Sequence, residues 1–152
     1  AAAGAEGGQV RALDLGTGAG AVLAQMAARC GADSVVACEL HDGLADCARR
    51  CVAANGLSKA VTVVNRDAAL LERGKDVPVQ GCNLLVLDLF DAQLVGDGAM
   101  GILEAAKRKG ALAPGYRAVP AAATVWAMGV ELYTAEAGGG FDVACVNKYR
   151  WE

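Results

Sequence analysis

Between Asp14 and Gly20 the sequence reads DLGTGAG, a carboxylate followed by glycines at 16, 18 and 20. Glycine at those positions lets the chain turn tightly and brings main-chain N–H groups within reach of a ligand. Two further acids stand at comparable points later on: Glu39 in ACEL and Asp67 in VVNRDA. A third group follows in DLFDAQLVGDG, with Asp88, Asp91 and Asp97. Glycine turns of this kind often cradle phosphate, through backbone N–H groups and the start of a helix. The phosphate fingerprint is GxGxxG. Here the spacing is GxGxG, and Asp14 sits two residues ahead of it.

A carboxylate at that point repels phosphate and can pair with an ammonium group. S-adenosylmethionine has an amino-acid end, a sulfonium and no phosphate, and it fits this pattern better than NAD does. On that reading Asp14, Gly16, Thr17, Gly18 and Gly20 form the cofactor turn. Glu39 accepts from both ribose hydroxyls, with Leu40 beside it, and Asp67 reaches the adenine amino group. Each also has a plainer reading. The glycines could serve only a tight turn, and Glu39 and Asp67 could be solvated loop acids. Asp91 and Asp97 could be turn or helix-capping residues. Gln93 lies in the same loop and receives no role. His41, the single histidine, is expected at the surface or the cofactor rim. No Ser–His–Asp arrangement is readable.

The elements that must carry these residues alternate. Val10–Leu15 reads as a strand, and Ala21–Cys30 as a helix closed by Gly31. Ser34–Leu40 reads as a strand and Gly43–Ala54 as a helix ending at Gly56. Val61–Asn65 is a third strand and Asn83–Leu89 a fourth, apolar enough to be buried on both faces. Ala99–Lys109 reads as a helix with a basic last turn. Tyr116–Tyr133 reads as extended, interrupted by Pro120. Trp126, Met26 and Met128 read as packing residues. This alternation predicts an α/β fold, a doubly wound Rossmann-like sheet with its ligand outside the carboxyl ends of the strands.

Composition narrows the function. The chain has 152 residues, a net charge of −3 and 55% hydrophobic residues, which suits one compact domain. No basic face invites nucleic acid, and no apolar run reaches the roughly 18 residues of a membrane span. The first ten residues resemble no signal peptide, and 1–9 are expected to be disordered or a cut end. The six cysteines form no CxxC pair, and Cys47 and Cys51 alone make no metal site. They are expected to be buried, reduced thiols in a cytoplasmic or nuclear protein.

The segments LDLGTGAG, ACEL, VAANGL and LDLFDAQLVGDGA…YRAVPAAATVWA together resemble the protein arginine N-methyltransferases, in the branch that forms monomethylarginine (type III). The resemblance runs from about Val10 to Trp126. It implies a class I methyltransferase domain over 10–117 and the start of a C-terminal β-barrel over 118–152. It implies S-adenosylmethionine as cofactor and an arginine-containing protein, of the arginine–glycine-rich kind, as substrate. The family holds the guanidinium between two loop glutamates nine residues apart. The matching positions are Asp88 and Asp97, at the same spacing but one methylene shorter.

Two carboxylates suit a guanidinium because it is planar, delocalised and always protonated near neutrality. Paired bonds fix its plane and aim one nitrogen. A displacement of about 1 Å can cost about 100-fold in rate, so the shortened acids bear on catalysis more than on cofactor binding. The family also has an aromatic N-terminal helix over the cofactor, a dimerisation arm, and a histidine–tryptophan loop. None of these is expected in this sequence, which reads as a truncated member. An alternative follows, a degenerate methyltransferase serving as a cofactor-binding scaffold.

Overall fold

In a computed structural model of the protein, the described residues are 8–91, 94, 96, 98–129 and 137–149. The chain runs β1 (Arg11–Leu15), α1 (Val22–Arg29), β2 (Ser34–Glu39), α2 (Asp42–Ala54), β3 (Val61–Asn65), β4 (Cys82–Leu87), α3 (Ala99–Arg108) and β5 (Leu112–Val119). These five strands form one parallel sheet in the order β3-β2-β1-β4-β5. The chain starts at the centre, moves outward to β3, then returns to the other side of β1. The order therefore reverses between β1 and β4, where an open α/β sheet leaves a crevice at its carboxyl edge. Leu15 and Leu87 end the two strands that flank it.

Both faces of the sheet are covered, which explains the near-continuous apolar strands. On one face Ala12, Val35, Ala37 and Val61 meet Ala24 of α1 and Ala48 and Val52 of α2. Alanine dominates that layer, so the helices lie close to the sheet. On the other face Leu13, Leu15, Val36, Leu85 and Leu87 meet α3. The β3–β4 crossover, residues 66–81, joins that layer through Leu71 and Val77. It contains a short 3-10 turn, Ala68–Leu70, and an isolated β-bridge between Arg73 and Val77. Its shape is held by ion pairs: Arg66 reaches Glu72 at 2.5 Å and Asp76 at 2.8 Å.

The fifth strand differs from the extended segment read over Tyr116–Tyr133. It begins at Leu112 and ends at Val119, and Pro114 and Gly115 fall in a register break within it. Cys82 pairs with Leu112, then Leu84 pairs with Arg117. An edge strand tolerates proline at such a bulge, since no ladder bond is lost on the open side. Residues 122–129 carry no strand. Trp126 was expected in a packed strand. It is 89% exposed, and Met26 and Met128 are also exposed rather than packed. No described strand pairs with the 122–129 segment, and among the described residues none covers the ring. Beyond it lie a small antiparallel pair, β6 (Ala137–Gly138) and β7 (Phe141–Asp142), and a 3-10 segment, Ala144–Tyr149.

All six cysteines are free, as expected, but only Cys38 and Cys82 are buried, while Cys30 and Cys145 are exposed. Cys30 follows α1 at its solvent end, and Cys145 lies beyond the sheet. Among the described residues no helix is long and apolar enough to cross a membrane.

Leu85 is fully buried in the central layer. Leu85→Ala should therefore cost about 2–5 kcal/mol of unfolding free energy. Leu40→Ala, at an exposed side chain, should cost less than about 0.5 kcal/mol. Urea denaturation followed by circular dichroism checks both, and equal losses would contradict this description of the core.

Candidate functional site

The glycine turn after β1 is stitched to the end of β2. The N–H groups of Gly16 and Thr17 both donate to the Cys38 carbonyl, at 3.0 and 2.9 Å. The Gly18 N–H donates to Glu39 Oε2 at 2.9 Å, and the His41 N–H donates to Glu39 Oε1 at 2.9 Å. Glu39 is buried, so both of its oxygens meet main-chain donors rather than water. Asn65 completes the seam, donating to the carbonyls of Glu39 and Leu40 at 3.0 Å each.

Glycine is required in this turn for two different reasons. Gly16 has φ +74°, and a Cβ there would collide with the Leu89 side chain. Gly18 has φ +66°, yet a Cβ there would meet nothing. The first glycine makes room for a neighbour, and the second leaves open space beside the Glu39 carboxylate. Gly20 offers its carbonyl to the buried Gln25 side chain at 2.7 Å. Ala21 follows with φ 44°, a left-handed turn that starts α1.

Asp14 is buried at the end of β1 and accepts a bond from the Thr17 hydroxyl at 2.5 Å. Burial drives its carboxyl above the ordinary aspartate value. The Thr17 bond pulls it back, and the charge of Asp88 adds to the rise. Asp88 is the first residue after β4 and is exposed. The sheet thus brings Asp14 and Asp88 to the same crevice, where their charges interact. In the loop beyond, Asp91 Oδ1 accepts the Gly96 N–H at 3.0 Å. Asp97 and Gln93 lie outside the described residues. Asp67 accepts the Ala69 N–H at 2.8 Å and so caps the 3-10 turn, a role that neither of its sequence readings named. Its other oxygen has no hydrogen bond among the described residues. Leu40 and His41 are exposed beside Glu39, His41 at the surface as expected.

These groups can bind a neutral or cationic ligand with hydroxyls. Each carboxylate oxygen has two acceptor positions. Glu39 uses one per oxygen on the protein, leaving one per oxygen for a pair of adjacent hydroxyls. Among the described residues a phosphate finds no such complement here. Arg66, the basic residue next to Asp67, is taken up by Glu72 and Asp76. Among the described residues no three His, Cys, Asp or Glu side chains form a metal-binding group. The Cys38 carbonyl, Leu89 and Arg66 were not identified from sequence. A carbonyl role leaves no mark in residue type, and the other two act through contacts made only in the fold.

Comparison with known proteins bears on this site. A family model described as a methyltransferase domain matches residues 12–110, from β1 to the end of α3. Protein arginine N-methyltransferase 7 of Aedes aegypti is 42% identical over 128 residues, 83% of this chain. The same enzyme of Drosophila grimshawi is 41% identical over 125 residues, 82% of this chain. The chain spans only 18% and 17% of those relatives' lengths. Among solved structures, Arabidopsis thaliana protein arginine methyltransferase 10 is similar with a TM-score of 0.63 and 23% identity. That match covers 73% of this chain and 30% of the other. The Trypanosoma brucei PRMT1 enzyme–prozyme complex with AdoHcy also has a TM-score of 0.63, at 19% identity. It covers 72% of this chain and 32% of that one. At such identities the structural likeness is one of fold. The family match runs through the first four strands, the glycine turn and the three helices, and the chain belongs to the methyltransferase domain family.

Proposed function

We propose that the chain is the cofactor-binding part of an S-adenosylmethionine-dependent protein arginine N-methyltransferase, acting on a guanidino nitrogen of protein arginine. The observation that carries this reading is the Glu39 carboxylate. It is buried, anchored through both oxygens by the Gly18 and His41 N–H groups, and open beside Gly18. A ribose offers the two adjacent hydroxyls that its remaining acceptor positions require. Asp14 would pair with the ammonium of the amino-acid end, and the turn through Gly16, Thr17, Gly18 and Gly20 would pass beneath it. Leu40 would border the ribose, and the second oxygen of Asp67 would take the adenine amino group. AdoHcy in the Trypanosoma brucei complex supports the cofactor, and the names of the relatives support the acceptor.

The cofactor would supply a methyl group on a positively charged sulfur. Asp88, at the crevice beside Asp14, would with Asp97 hold the guanidinium plane and orient one nitrogen toward that methyl. Charge-assisted bonds of this kind fix geometry as well as affinity. The reading extends to residues 118–152 as the start of a β-barrel, supported by the exposed Val125 and Trp126. It also extends to a reducing cytoplasmic or nuclear setting, supported by the free exposed thiols of Cys30 and Cys145. A second reading, a cofactor-binding scaffold without transfer, is favoured by the short side chains of Asp88 and Asp97.

Calorimetry with S-adenosylmethionine tests the pocket. Heat of binding is expected, and Glu39→Gln should weaken it about 10- to 100-fold. No heat at millimolar cofactor would sink both readings. Methyl transfer to an arginine–glycine-rich peptide separates them. Transfer by the unsubstituted chain supports the enzyme. Silence there, with activity in Asp88→Glu/Asp97→Glu, supports the scaffold.

Asp14 adds a test in which stability and binding move oppositely. A raised carboxyl value in the folded state means that the unfolded chain ionises first. Whatever stability the group lends is present below its unfolded value, and is lost as pH rises through the folded one. Asp14→Asn removes that loss and keeps an acceptor for Thr17. Its unfolding midpoint should exceed that of the unsubstituted chain at pH 7, with the gap closing toward pH 4. Its cofactor affinity should fall.

A further inference from the structure

Arg66 is held at three points. Its N–H donates to the Glu39 carbonyl at 2.9 Å, closing the β2–β3 edge. Its carbonyl accepts the Cys38 thiol at 3.1 Å. Burial pushes that thiol up to about 12, so it remains a protonated donor. The guanidinium turns away from the strands and grips the crossover. Nη1 meets Asp76 Oδ2 at 2.8 Å and Nη2 meets Glu72 Oε1 at 2.5 Å. Asp76 Oδ2 also accepts the Glu72 N–H at 2.8 Å, and Lys75 adds a pair to Glu72 at 3.3 Å.

The geometry matters because of what adjoins it. Asp67 is the next residue, and its backbone starts the 3-10 turn that its own Oδ1 caps. Behind that turn the crossover contains no α-helix before β4. The bonds on Asp67 itself come from the Ala69 and Leu70 N–H groups, only two and three residues ahead, and do not tie it to the far side of the crossover. The Arg66 fork supplies that constraint by binding the far side of the loop, at Glu72 and Asp76, to the residue before Asp67. Asp76 is 10% exposed and the Arg66 side chain 28%, a partly desolvated pair. A pair of that kind resists screening better than a fully exposed one. A planar guanidinium holding two carboxylates fixes direction in a way that a lysine ammonium does not.

We infer that Arg66 is a positioning residue for the adenine end of the cofactor, acting through Asp67 and setting the preference for an amino group at the purine 6-position. This rests on the cofactor reading above. It names a residue that touches no cofactor and a property, base selectivity, that the glycine turn and Glu39 do not control.

The test compares S-adenosylhomocysteine with S-inosylhomocysteine, in which a 6-oxo group replaces the amino group. Both are titrated calorimetrically into the 152-residue chain. The unsubstituted protein should favour the adenine compound about 10-fold, the worth of one hydrogen bond with a charged acceptor. Arg66→Gln should bring the ratio near unity, chiefly by weakening the adenine compound, and Arg66→Lys should recover only part of it. A merely structural loss would weaken both compounds alike and leave the ratio standing, which would overturn the inference. Should Arg66→Gln fold poorly by circular dichroism, Asp76→Asn, which removes one charge of the fork, must lower the ratio instead. An unchanged ratio there would also overturn it. If neither compound binds the unsubstituted chain, the cofactor reading itself fails. If both bind equally, the cofactor reading survives and the role given to Asp67 and Arg66 does not.

Discussion

A buried carboxylate with two main-chain donors organises the functional edge of this protein. Burying Glu39 would be costly if its oxygens were unmet. The Gly18 and His41 N–H groups meet them, and charge-assisted bonds of this kind are stronger than neutral ones. The two donors come from different elements, one from the turn after β1 and one from the start of α2. A single side chain thus sets where the turn lies, where the second helix begins, and how the end of β2 faces the crevice. The bonds from Gly16 and Thr17 to the Cys38 carbonyl repeat the same seam in the backbone.

The rest of the fold makes that edge rigid at little cost in chain length. Alanines on one face let α1 and α2 sit close over the sheet, and leucines on the other receive α3 and the crossover. The two faces are built differently. One is closed by two regular helices, the other by one helix and a loop braced by Arg66, Glu72 and Asp76. Surface ion pairs contribute little to stability by themselves. Here their effect is directional, since they set the path of a segment that lacks a hydrogen-bond ladder of its own.

Much of this was legible in the sequence, and the reasons are specific. Val61–Asn65 was read with the bounds it has, because a short β-branched run between turn residues leaves little choice. The carboxylate and glycine spacing around Gly18 gave the character of the turn, since an absent Cβ is visible in residue type. The start of the fifth strand lies ahead of Tyr116 because Pro114 and Gly115, poor strand residues, are accommodated in a register break on an edge. Trp126 and Met128 were misread because apolar character says that a side chain wants cover, not that cover is present. Nothing in residue type sets Arg66 apart from the other cations of the chain. Its importance arises from where residues 72 and 76 arrive after the loop folds back.

Leu89 resting over Gly16 ties the two halves of the crevice together. One belongs to the turn beneath the proposed cofactor, the other to the loop that carries Asp88. The halves share a wall one side chain thick, so neither can be reshaped alone. A larger residue at 16 would push first against Leu89 and the loop after β4. A smaller residue at 89 would open a gap beneath the turn. Changes to the shape of this edge are therefore easier to make further along the loop than at its root, where turn and loop are cast from the same mould.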